Sequence, residues 1–145
     1  MGLISKQIHQ RTTNRLAQPT RAVTRLDVDQ ALDAIRRVVQ QTPAKTGFLH
    51  SGEKLWLAGQ APGPWNVYYG PPSRKDPTKV VPTWTTRVAL SASSDGTQTL
   101  VTINLAKWKT RDGKLIGRGE FEQFLANVTA QISARDPSYS LIDVS

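Results

Sequence analysis

Trp84-Thr85-Thr86-Arg87-Val88-Ala89-Leu90, then Ser94-Asp95-Gly96, then Thr99-Leu100-Val101-Thr102-Ile103-Asn104-Leu105 read in succession as strand, turn and strand. Side chains alternate between the two faces of a strand, so Trp84, Val88 and Leu90 share one face with Val101, Ile103 and Leu105. Asp-Gly at the tip favours a tight hairpin, because glycine takes a positive φ without steric cost. An antiparallel pair with one apolar face must bury that face against something, so the neighbouring segments decide the architecture.

Downstream, Asp112-Gly113 allows Leu115-Ile116 to fold back against the end of the second strand. Glu120 to Ala134 follows as an amphipathic helix with Phe121, Phe124, Leu125, Val128 and Ile132 as its stripe, and Pro137 marks its end. Upstream, Lys54-Leu55-Trp56-Leu57-Ala58 and Trp65-Asn66-Val67-Tyr68-Tyr69 suit a second hairpin, with Trp65, Val67 and Tyr69 on one face. The stretch from Gly70 to Pro82 carries Pro71, Pro72, Pro77 and Pro82, so it is expected to protrude as a loop.

Before that hairpin, Val28, Ala31, Leu32, Ile35, Val38 and Val39 recur at helical spacing. Asp27 and Gln30 have the spacing of a capping box, and Pro43 stops the helix. Thr20 to Leu26 reads as a short first strand. The expected fold is α+β: one antiparallel sheet of four to five strands, packed on one face by an N-terminal and a C-terminal amphipathic helix. Residues 1–18 form a basic N-terminal arm, 19–137 the single domain and 138–145 a C-terminal tail. The order of elements resembles that of helix-grip domains, in which a curved sheet wraps a long C-terminal helix. The resemblance extends to element order, and it implies a carrier of a small apolar ligand.

A chain of 145 residues falls at the common size of one domain. With 38% hydrophobic and 21% charged residues, it has the balance of a folded protein. It contains no apolar run long enough to span a membrane, and Met1-Gly2-Leu3-Ile4-Ser5-Lys6 does not open a secretory signal. The expectation is no membrane, no signal-peptide secretion, and a place in the cytoplasm or in a particle assembled there. The absence of cysteine excludes disulfides, thiolate nucleophiles and cysteine-held metal sites.

Nineteen Lys and Arg against eleven Asp and Glu give a net charge of +8. Lys6, Arg11, Arg15, Arg21 and Arg25 all precede the first acid, Asp27, and Lys107, Lys109, Arg111, Lys114 and Arg118 cluster around Asp112 alone. Two basic patches are expected, with an anionic partner or neighbour.

Catalytic chemistry finds no foothold. The two histidines, His9 and His50, cannot form a multi-histidine metal site, and neither has acids spaced as a ligand set. Asp33 stands at i,i+4 from both Asp29 and Arg37, which makes an ion pair its simplest role, while Glu120 and Glu122 suit the positive end of their helix. Gly113-Lys114-Leu115-Ile116-Gly117-Arg118-Gly119 matches neither the phosphate-loop nor the dinucleotide pattern, and no serine sits in a Gly-x-Ser-x-Gly elbow. No catalytic residue, cofactor or metal is expected.

What remains is binding. Leu3, Ile4 and Ile8 give the arm apolar anchors, and Lys6, Arg11 and Arg15 give it charge without nearby acids. Arg74, Lys75 and Lys79 lie in the proline-rich loop. Lys107, Trp108, Lys109 and Arg111 end the last long strand, where alternation puts Trp108 opposite Val101, Ile103 and Leu105, either as a contact residue or packed under the Asp112-Gly113 turn. These residues point to a non-catalytic structural or adaptor subunit that associates with partner subunits, copies of itself included. The alternatives are a sequence-independent nucleic-acid-binding domain, which the charge favours, and the helix-grip-like carrier, which requires an apolar cavity between sheet and C-terminal helix.

Overall fold

The hairpin that turns at Asp95-Gly96 is the centre of the fold. In the computed structural model, which describes residues 14–48 and 50–142, Trp84–Ala92 (β4) and Thr99–Trp108 (β5) pair antiparallel along their whole length. Asp95 fixes the turn, its carboxylate accepting from Ser93 Oγ at 2.6 Å, Thr97 N at 3.0 Å and Thr97 Oγ1 at 2.8 Å. Lys54–Ala58 (β2) and Trp65–Gly70 (β3) form the expected second hairpin, and β3 adds to β4.

Thr20–Thr24 (β1) lies against the far side of β5, and two residues of the tail, Ser140–Leu141, pair with β1 as an edge strand. Among the described residues the sheet therefore has six antiparallel strands instead of four to five, because the tail contributes one. Numbering that edge strand β8, the spatial order is β2-β3-β4-β5-β1-β8, with Thr110–Arg111 (β6) and Lys114–Leu115 (β7) forming a separate two-stranded ribbon.

Val28–Gln41 (α1) begins with the predicted capping box: Gln30 N donates to Asp27 Oδ1 at 2.7 Å, and Asp27 N donates to Gln30 Oε1 at 3.0 Å. It buries Ala31, Leu32, Ala34, Ile35 and Val38. Arg118–Arg135 (α2) starts two residues before the expected Glu120, after Gly117 turns the chain in the left-handed region at φ 78°. The buried stripe is Phe121, Phe124, Val128 and Ile132, with Leu125 half-buried.

Helices α1 and α2 share one core with a single face of the sheet, made of Trp65, Val67, Tyr69, Trp84, Val88, Leu90, Val101, Ile103 and Leu105. Trp84 is its hub. It stacks on Tyr69 at 5.2 Å between ring centroids and meets Phe121 edge-on at 5.5 Å, and its Nε1 donates to Gly117 O at 3.0 Å. The other face of the sheet carries neither helix stripe.

Two local features redirect side chains. Between Thr85 and Thr86 the register slips: Thr86 faces Leu105 but Thr85 faces Lys107, so Ala106 is the extra residue of a bulge. The segment 71–83 forms a narrow irregular hairpin in which Ser73 N donates to Lys79 O at 2.8 Å and Thr83 N donates to Tyr69 O at 2.6 Å. A Cβ at Gly70 would collide with the Val81 carbonyl oxygen, so only glycine lets the two arms close.

Candidate functional site

Antiparallel topology brings two of the predicted basic segments to one end of the sheet. The hairpin 71–83 joins the end of β3 to the start of β4, and the start of β4 lies beside the end of β5. Arg74, Lys75 and Lys79 are exposed at this end, as are Lys107, Lys109 and Arg111. Lys54 belongs to the same group, its Nζ reaching Pro77 O at 3.1 Å. The acids within these two segments are Asp76, whose carboxylate is engaged by Thr78 N and Oγ1, and Asp112 in the turn.

Trp108 is not where simple alternation puts it. The bulge at Ala106 shifts the register by one residue, so Trp108 pairs with Trp84 on the core side, half-buried against the hydrophobic cluster. It also helps line a groove of about 410 Å³ with Asn66, Tyr68, Thr85, Lys107 and Lys109. Of the arm residues, Arg15 is exposed, and Leu3, Ile4, Lys6, Ile8 and Arg11 lie outside the described residues. Leu16 and Ala17, placed in the arm by sequence, are half-buried against the core.

The groove adds residues that the sequence reading did not select: Asn66 and Tyr68, with Arg87 close by in the register. The signal was present in the same alternation that identified the core. If Trp65, Val67 and Tyr69 face inward, then Asn66 and Tyr68 must face outward.

A second cleft, of about 280 Å³, opens between β2, β3 and the start of α2, over Leu55, Tyr69 and Phe124. Lys45 pairs with Glu120 beside it, tying the segment after α1 to α2. Burial pushes the Glu120 carboxyl up, but the Lys45 hydrogen bond and charge outweigh this and leave it below its ordinary value. Burial, with the charges of Glu120 and Glu53, drives the Tyr69 phenol well above its usual range, so the hydroxyl stays protonated.

Several charged groups away from these sites have structural partners. Asp33 binds Arg37 at 3.1 Å, as its spacing predicts, and also Arg135 at 3.0 Å. Glu122 pairs with Arg118, and His50 Nδ1 stands 3.8 Å from Glu53. Asp136, which sequence reading passed over, is 5% exposed and accepts from Thr24 Oγ1 at 2.6 Å, Arg25 N at 2.7 Å, and Ser138 N and Oγ. Those donors, Ser138 and Thr24 foremost, hold its carboxyl far below the ordinary range.

Among the described residues no cluster of His, Asp and Glu could hold a metal ion, and no helix is long and apolar enough to cross a membrane. No family model matches the sequence, and no curated protein matches it.

Proposed function

We propose that this chain is a non-catalytic structural or adaptor subunit of a larger assembly, working in the cytoplasm or in a particle assembled there. Its basic N-terminal arm and basic loops associate with partner subunits, copies of itself included. The observation that carries this reading is the gathering of Arg74, Lys75, Lys79, Lys107, Lys109 and Arg111, all exposed, at one end of the sheet. Charge of one sign concentrated on one end steers association with a complementary surface. The arm supplies apolar anchors, Leu3, Ile4 and Ile8, beside cations that no neighbouring acid offsets.

Sedimentation velocity tests the reading on the full chain and on a chain lacking residues 1–13, a cut that spares Leu16 and Ala17. The full chain is expected to sediment as an assembly, and the shortened chain as a folded species of lower mass with an unchanged circular dichroism spectrum. A full chain that is monomeric throughout, and binds no partner in a pull-down, would remove the assembly reading.

A carrier of a small apolar ligand is the second reading, favoured by the cleft over Leu55, Tyr69 and Phe124. It ranks lower because about 280 Å³ falls just under the roughly 300–1,000 Å³ of typical ligand pockets.

A further inference from the structure

The sheet face turned away from the helices has a composition of its own. Alternation and register place Lys54 and Trp56 of β2 there, with Asn66 and Tyr68 of β3, Thr85 and Arg87 of β4, Thr102, Asn104 and Lys107 of β5, and Arg21 of β1. No Asp or Glu stands among the outward residues of these strands. Two aromatic residues occupy facing positions of adjacent strands on it, because Trp56 is the register partner of Tyr68, and both are half-buried. The row continues across Thr85 to Lys107, while the next row runs Asn66, Arg87, Asn104. The groove of about 410 Å³ lies on this face, between Tyr68 and Lys107.

We propose that the outward sheet face binds single-stranded nucleic acid, with bases stacked on Tyr68 and Trp56 and phosphates against Arg87, Lys107 and Lys109. This rests on reading the chain as a binding protein and names a further partner, for a face that shares only Lys107 and Lys109 with the basic end assigned to association. Charge complementarity argues for a polyanion, since a protein surface seated here would have to bring its own acids to meet an acid-free face. The two rings argue for unpaired bases. Inside a duplex each base face is covered by its stacking neighbours, so aromatic rings on an open surface engage base faces only in an unpaired strand. Asn66 and Asn104 add side-chain donors and acceptors within reach of base edges without imposing a sequence.

Fluorescence anisotropy on the full chain tests this, using labelled oligo(dT) and oligo(U) of about 12 nucleotides, a usual site size for such surfaces. Binding is expected at low salt, with quenching of tryptophan emission as a base covers Trp56. Three phosphate contacts predict that log affinity falls against log salt with a slope of roughly −2. Tyr68→Ala and Trp56→Ala should each weaken binding about tenfold with little change in slope. Tyr68→Phe should retain affinity, and Lys107→Ala should flatten the slope by roughly 0.7.

No anisotropy change at low salt would overturn the proposal. So would equal affinity for a duplex of the same sequence, or a Tyr68→Ala chain, folded by circular dichroism, that binds as tightly as the parent. If Arg87→Glu instead breaks self-association in a chain that binds no oligonucleotide, the face belongs to a protein contact. A monomeric chain that still binds oligonucleotide would sink the assembly reading alone.

Discussion

Asp136 joins three parts of the chain through one carboxylate: the end of β1 at Thr24 and Arg25, the end of α2, and the tail at Ser138. Removing it leaves several buried or half-buried donors without an acceptor, so Asp136→Ala is expected to cost about 2–3 kcal/mol in urea unfolding at neutral pH. The pH dependence has a definite sign. Because the folded carboxyl is held below its ordinary value, its contribution is complete above an unfolded value of about 3.9 and is lost as pH falls below that towards the lowered folded value. Parent and variant stability should therefore converge in strong acid; a gap that persists there unchanged would refute the assignment. Asp95 is likewise lowered, to about 2 by Ser93 and Thr97, but it lies in an exposed turn and only fixes the hairpin tip.

At the scale of elements, α2 and the hairpin 71–83 make opposite predictions. Phe124 is 1% exposed against Trp84, so Phe124→Ala should lower stability by about 3–5 kcal/mol. Replacing Arg74, Lys75 and Lys79 together with Ala should change the melting temperature little, since exposed substitutions of this kind each stay within about 0.5 kcal/mol. The same triple change should weaken partner association in sedimentation, and unfolding in its place would show that the hairpin is part of the core. The helices and the long strands were legible because periodicity reports burial directly: the stripes of α1 and α2 and the inward rows of β3 to β5 all appear in the core. Three things were not legible. The bulge at Ala106 shifts Trp108 without any local signal, since alanine fits either register. The pairing of β8 depends on a neighbour more than a hundred residues earlier in the chain, and two residues are too few to show a period. Asp136 reads in the sequence only as a residue before proline. Of the candidate site, the cations were visible as charge, but their gathering at one end depends on which strands pair.

For the molecule as a whole, the sheet divides the protein into a face that carries both helices and a face that carries cations, amides and two aromatic rings. The net charge of +8 is therefore concentrated in places, namely the basic end, the outward face and the arm sequence. On the proposed reading, stability and binding are separable: core substitutions act on the first face and surface substitutions on the second. The position of β1 has a further consequence, for synthesis. Its partners are β5 and β8, with Thr20 facing Ile103 and Ala22 facing Leu141, so the strand leaves the ribosome long before either neighbour exists. A strand with two open edges is a template for pairing with another nascent copy. Arg21 within it and Arg25 just after it put like charges where two such strands would meet, which disfavours that pairing until β5 and then β8 arrive.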